Sequence, residues 1–329
     1  MKPFAYVRPA TPADAVAALA AAGPAARYLG GGTNLVDLMK LGVEAPELLI
    51  DVSRLLPDRV DQTPDGGLLI GAGVSNTDLA ADPLVRTRYP LLSRALLSGA
   101  SGQLRNKATV AGNLLQRTRC SYFQDVSKPC NKRRPGSGCP ARDGHHRELA
   151  ILGHSASCLA TNPSDMAVAL TALDARIRLL GARGERVIPL SELYRLPGDR
   201  PDLETRLEPG ELITAVEIPP LAAAAASSQY SKARDRASFA FALVSVAVVL
   251  DIADGRVRDS RIAFGGVAPI PWRAGRAERA LRGAPVTEES FAAAAAAELD
   301  FAKPLTDNGF KVTLAANVLV ATLLQLSSA

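Results

Sequence analysis

The sequence predicts an α+β chain of two domains, and three observations carry that expectation. Its 329 residues exceed what one hydrophobic core usually organises. A break falls near Pro219-Pro220, followed by an alanine-rich linker to Ala226. Before the break helical and strand patterns alternate, and after it strands come first and helices follow. The expected division is therefore 1–220 and 227–329.

Taken in order, Thr11-Pro12-Ala13-Asp14 supplies an N-cap, a proline at the first helical position and an acid in the first turn, and Gly23 closes that helix. Tyr28-Leu29 reads as a short strand leading into Gly30-Gly31-Gly32-Thr33-Asn34-Leu35, with a second helix to about Leu41. Leu48 to Val52 and Leu68 to Ile70 have strand character, and Ser75-Asn76-Thr77-Asp78 resembles a capping box with Asp in place of Glu. Leu91 to Leu97 is expected to be helical and to run into a loop from Gly99 to Gly112. The stretch from Arg117 to Cys158 has neither period and is rich in Pro, Gly, Ser and charge, so a bound ion or cluster would have to order it. Regular structure resumes with a helix from Pro163 to Leu173, with Asn162 as its cap, and an Ile177-to-Ile188 hairpin. In the last third, strands from Phe239 to Ile252 and from Val257 to Phe264 flank a hairpin turn at Asp254-Gly255. Three helices follow, at about Arg273–Leu281, Thr287–Phe301 and Phe310–Leu326.

Hydrophobic residues are 47% of the chain and charged residues 22%, the balance of an ordinary globular protein. No run reaches the roughly 18 to 20 apolar residues of a membrane helix, the longest candidate being Phe239 to Leu250, and Met1 to Tyr6 lacks the apolar segment of a secretory signal. A soluble chain with no membrane insertion and no export signal of its own is expected. The net charge of +5 lies wholly between Arg117 and Glu148, where eight basic residues face three acids. A focused patch points to one local anionic partner, and with one Trp and 5% aromatics the chain offers no stacking platform for nucleic acid.

All four cysteines (Cys120, Cys130, Cys139, Cys158) and all three histidines (His145, His146, His154) fall in the 39 residues from 120 to 158. Nine, eight and eighteen residues separate successive cysteines. Structural zinc sites generally contain short pairs two to four residues apart. Four thiolates also suit a [4Fe–4S] cluster, and two disulfides would suit an exported protein. Spacing leaves all three open, and the histidines read as loop or outer groups.

Three further motifs can carry chemistry. Gly30 to Leu35 is a strand-to-helix turn whose glycines let backbone N–H groups approach a pyrophosphate; it is neither a Walker A loop nor a Gly-x-Gly-x-x-Gly fingerprint, and a tight turn without ligand accounts for it equally well. Leu104 to Asn113 could lie along a planar ring and a polyol or be a polar connection. Asn162-Pro163-Ser164-Asp165 opens a helix and leaves Asp165 as a possible acceptor for a polyol hydroxyl.

In this order, these three motifs resemble the FAD-binding subunits of the xanthine dehydrogenase family, the molybdenum hydroxylases. So do Leu207-Glu208-Pro209-Gly210-Glu211-Leu212-Ile213, Tyr230-Ser231-Lys232-Ala233-Arg234, and Gly265-Gly266-Val267-Ala268-Pro269 continuing to Arg273-Ala274 and Glu278. The resemblance implies an N-terminal FAD-binding domain of two subdomains, vanillyl-alcohol-oxidase-like, and an antiparallel sheet with a three-helix bundle like the C-terminal domain of CO dehydrogenase flavoproteins. It also implies that Gly30, Gly31, Gly32, Thr33, Asn34 and Leu35 hold the FAD pyrophosphate, that Thr109, Gly112 and Asn113 line the flavin and ribityl chain, that Asp165 makes a ribityl or ring-side contact, and that Ile213 and Lys232 sit near the isoalloxazine.

The segment Thr118 to Cys158 departs from the common pattern of that family and is similar to the subgroup of bacterial aldehyde oxidoreductase flavoprotein subunits with an additional [4Fe–4S] cluster. Cys120, Cys130, Cys139 and Cys158 are then its ligands, in an insert at about 117–158. The chain has no nucleophile–base constellation and no expected catalytic residue of its own. The resemblance implies a heterotrimer in which a large partner with the molybdenum cofactor oxidises an aldehyde and a small partner relays electrons through [2Fe–2S] clusters to FAD and an external acceptor. A hydroxyaryl-CoA reductase subunit, a stand-alone flavin oxidase and a zinc-stabilised interaction module are the competing readings. The compartment is expected to be the cytoplasm, or the periplasm by co-export with a partner carrying a twin-arginine signal.

Overall fold

In the structure, a computed structural model describing residues 1–328, the strands form three sheets. The first is parallel, in the order β1-β3-β2, from β1 (Ala5–Val7), β2 (Ala26–Leu29) and β3 (Leu48–Asp51). The helix Pro12–Ala22 crosses between β1 and β2, opened by a complete capping box between Thr11 and Asp14. The second sheet is antiparallel, β4-β5-β8-β6-β7, from β4 (Val60–Gln62), β5 (Leu68–Gly71), β6 (Arg176–Gly181), β7 (Gly184–Pro189) and β8 (Leu212–Ile218). β8 enters the middle of this sheet from far along the chain. The long excursion between β5 and β6 carries the helices Pro90–Ser98 and Asp165–Ala172 and the cysteine segment.

The third sheet, β12-β11-β10-β9, is antiparallel and comprises β9 (Ser228–Ala233), β10 (Val244–Ala253), β11 (Arg256–Gly265) and β12 (Trp272–Arg273). Asp254 and Gly255 turn β10 into β11 with φ of 52° and 70°, the left-handed pair that matches strand twist. β10 is buried over seven consecutive residues because both faces of the sheet are covered. Val244, Val246, Val248 and Leu250 face the helices Gly275–Leu281, Glu288–Leu299 and Phe310–Ser327. Ala247 and Val249, on the other face, join the core of the first 220 residues, where the helices Pro90–Ser98 and Asp165–Ala172 pack. An α+β architecture with an antiparallel C-terminal sheet and three helices is thus what forms.

Several local expectations are corrected. Residues 99–112 are not a loop: Ser101 and Thr109 cap two short helices, Gly102–Lys107 and Val110–Leu114, by accepting the N–H of Leu104 and Gly112. The helix after Pro163 starts at Asp165 with Ser164 as its cap, while the Asn162 carboxamide accepts the Ser164 N–H instead. The strand expected from Phe239 starts only at Val244, β1 and β4 were not anticipated, and the alanine linker is helical at Ala222–Ala226. Phe310–Ser327 is in fact long and apolar enough to cross a bilayer by length and composition, and Ala315, Leu319 and Leu323 pack one side of it against the sheet while 28% of it is buried.

Candidate functional site

The glycine turn leaves β2 and faces the 107–109 segment so closely that side chains are excluded. A Cβ on Gly31 would lie 1.7 Å from the Lys107 carbonyl oxygen, and one on Gly30 3.1 Å from Thr109 Oγ1. Gly32 has φ +75°, which only glycine adopts without strain. The opposing wall is itself pinned: Asn76 N–H donates to Ala108 O, and the N–H groups of Val110 and Ala111 donate to Val74 and Ala72 beyond β5. The first sheet and the second therefore meet across a seam lined with backbone.

Asn34, in that turn, accepts the Arg117 N–H through Oδ1 at 2.9 Å, while its Nδ2 is buried with no protein partner. A buried donor without an acceptor costs about 1–3 kcal/mol, so a ligand oxygen is the natural complement. The glycine backbone and this orphaned amide fit a pyrophosphate, and Thr33 and Leu35 flank them. Asn113 Oδ1 accepts the Ser164 hydroxyl at 2.6 Å and the Gln116 amide at 2.8 Å, tying the Thr109–Gly112–Asn113 helix to the Asp165 helix.

Asp165 and Lys232 come together in an ion pair of 2.8 Å, both nearly buried, and Tyr230 Oη donates to the other carboxylate oxygen at 2.6 Å. Lys232 also donates to Ser98 O. This group joins the helix Asp165–Ala172 to β9, so Asp165 is already spoken for by the C-terminal sheet. Tyr230, two residues before Lys232 on the same strand face, was not singled out; the period of two was the signal that could have found it. Burial first, then the Asp165 carboxylate, pushes its phenol well above the ordinary value. Ile213 is a core residue of β8, 1% exposed.

The four cysteines surround one small cavity of about 10 Å³, with Phe123, Lys132 and Ala160 among its other walls. All four are free thiols, so disulfides are excluded. Among the described residues no three His, Cys, Asp or Glu side chains close on one point as a single ion requires. Cys120 and Cys158 are buried and Cys130 and Cys139 half-buried. The Cys120 carbonyl accepts the N–H groups of Phe123 and Gln124, that of Cys130 those of Arg133 and Arg134, and that of Cys139 the Arg142 N–H. Burial pushes the Cys120 thiol up to about 11 and raises Cys139 and Cys158 as well, so none is an activated nucleophile. Such thiols ionise when a metal takes the proton's place.

Much of the basic patch holds this lobe together. Arg117 bridges Glu44 and Glu204, and Lys132 reaches Glu204 at 2.9 Å. Arg133 donates to the carbonyls of Tyr122, Phe123 and Lys128, and Arg142 to Ser155 O. Burial would raise the Glu204 carboxyl, but the Lys132 and Arg117 cations outweigh it and hold it below 4.5. The histidines do not line the cysteine cavity. A second cavity of about 360 Å³ lies between Leu114–Thr118 and Tyr194–Thr205, and Lys132 and Ala160 belong to both walls.

Residues 2–221 match the family described as the FAD binding domain in molybdopterin dehydrogenase, and 228–326 the CO dehydrogenase flavoprotein C-terminal domain. The chain is 51% identical over 325 residues to the aldehyde oxidoreductase FAD-binding subunit PaoB of Escherichia coli, covering 98% of each. It is 28% identical to the carbon monoxide dehydrogenase medium chain of Hydrogenophaga pseudoflava, over 92% of this chain and 88% of that one. The solved structure of carbon monoxide dehydrogenase from the same organism superposes with a TM-score of 0.78 at 27% identity, covering 99% and 98%. With the glycine seam and the orphaned Asn34 amide in place, the chain belongs to the FAD-binding medium subunits of the molybdenum hydroxylase family, as an oxidoreductase subunit.

Proposed function

We propose that this chain is the electron-transferring FAD subunit of a molybdenum-dependent aldehyde oxidoreductase and that Cys120, Cys130, Cys139 and Cys158 bind an additional [4Fe–4S] cluster. The observation that carries the iron reading is the single cavity walled by all four thiols. Structural zinc sites generally contain short cysteine pairs, and here nine, eight and eighteen residues separate successive cysteines. The aldehyde reading draws its support from the 51% identity to a subunit that bears that name.

Bound FAD accepts electrons singly and releases them singly or in pairs. In this proposal the glycine turn and Asn34 grip its pyrophosphate, Thr109, Gly112 and Asn113 line the flavin and ribityl chain, and the 1–220 domain with its 117–158 insert acts with the 227–329 domain to exclude water. Asp165, Ile213 and Lys232 serve the ring end, Asp165 through the Lys232–Tyr230 group. Substrate oxidation belongs to a large molybdenum-cofactor partner, and electrons arrive through a small [2Fe–2S] partner in a heterotrimer and leave to an external acceptor. The assembly works in the cytoplasm, or in the periplasm after co-export.

The test is oxygen-free purification with co-purifying partners, followed by flavin, iron, zinc and molybdenum counts. A Cys130→Ser chain should lose about four irons and keep its FAD. Unchanged iron would refute the ligand assignment, and one zinc without colour would establish the zinc alternative.

A further inference from the structure

The cysteine lobe does not close on itself. Its return segment, residues 148–152, is gripped from the C-terminal side. Lys311, in the first turn of the helix Phe310–Ser327, is 0% exposed and makes no ion pair among the described residues. Its Nζ donates instead to three backbone carbonyls: Glu148 at 3.1 Å, Leu149 at 2.9 Å and Gly266 at 2.5 Å. Asn308, also 0% exposed, donates to His146 O and Leu149 O and accepts the Leu305 N–H. The Asp307 N–H lies 3.0 Å from His146 Nε2, and His146 Nδ1 lies 3.2 Å from the carbonyl of Ala141, two residues past Cys139. Ala150 N–H donates to Leu159 O, next to Cys158. Leu149 packs in the same apolar cluster as Cys120 and Cys158.

Burying an ammonium is costly, and a methionine would fill the space without that cost. Burial pushes the Lys311 ammonium down to about 7, and what its protonated form adds is three donors for the backbone carbonyls of Glu148, Leu149 and Gly266. We propose that Lys311 is the positioning residue that locks the cysteine lobe to the C-terminal domain, so that Cys139 and Cys158 are held in place from outside the insert. The iron consequence rests on the cluster reading above; the lock itself does not.

The test uses the full chain with its co-purifying partners, comparing wild type with Lys311→Met, which keeps the volume and removes the donors, and with the milder Asn308→Ala. Flavin per chain, iron per chain, the rate of iron loss to a chelator and amide hydrogen exchange are measured. In Lys311→Met, exchange over 117–158 should rise about tenfold or more with residues 68–98 unchanged, flavin should stay stoichiometric, and iron should leave about tenfold faster. Wild-type exchange in the lobe of Lys311→Met overturns the proposal, because packing alone then suffices. If Lys311→Met fails to fold, Asn308→Ala decides on the same readouts. A wild-type chain without iron sinks the cluster reading, while the exchange comparison still decides the lock.

Discussion

Replacing Gly31 with alanine puts a methyl group where the facing backbone already stands. The added Cβ would be 1.7 Å from Lys107 O and 2.7 Å from its carbonyl carbon. A relaxed carbon–oxygen contact is about 3.3 Å, so the seam must open by roughly 1.5 Å. Neither side can yield by turning a side chain, since both are backbone and the 108–111 wall is bonded to residues 72–76. Overpacking of this kind costs about 1–3 kcal/mol. If the strain is relieved by opening the seam, FAD affinity should fall roughly 5- to 150-fold, at tenfold per 1.4 kcal/mol. Fluorescence titration of the flavin-depleted chain with FAD reads this directly. Gly42→Ala is the control: it meets open space, and φ of +75° costs it about 1–2 kcal/mol of stability without touching the seam. A Gly31→Ala chain that binds FAD within about twofold of wild type at unchanged stability would refute the reasoning.

Tyr230→Phe removes a 2.6 Å bond to the nearly buried Asp165 carboxylate and should cost about 1.5–3 kcal/mol in denaturant unfolding; no change would mean Lys232 alone satisfies that carboxylate. Arg117→Ala leaves Glu44 and Glu204 with only part of their compensation, Lys132 remaining, and should cost roughly 2–4 kcal/mol in the same assay. Glu204 is held below 4.5 in the folded chain, so its contribution is fully present above that pH and is lost as pH falls through the folded value. Melting temperature should therefore hold down to about pH 4.5 and drop below it, less steeply in Glu204→Gln; an equal drop in that variant would assign the acid limb elsewhere.

Much of this protein could be read from local pattern. Thr11 with Asp14, Thr287, and the Asp254-Gly255 turn act within a few residues of themselves, so propensity and capping chemistry decide them. The β-branched run of β10 and the three closing helices were legible for the same reason, as was the gathering of four thiols in one irregular segment. Residues 99–112 read as a loop because the helices that Ser101 and Thr109 cap are only six and five residues long, too short to show a period, and at Asn162 the neighbouring Ser164 takes the cap.

From sequence alone came the chemical inventory: glycines that permit close approach, four thiols gathered in one segment, and patterned elements with their periods. Tertiary structure alone decided which of these meet. It set Gly31 against Lys107, gave Asp165 to Lys232 and Tyr230, spent much of the basic patch on holding the cysteine lobe, and fastened that lobe to Lys311. The reason is physical: these partners are tens to more than a hundred residues apart, so no local preference encodes them, and only the packing of sheets and helices against one another brings them within reach.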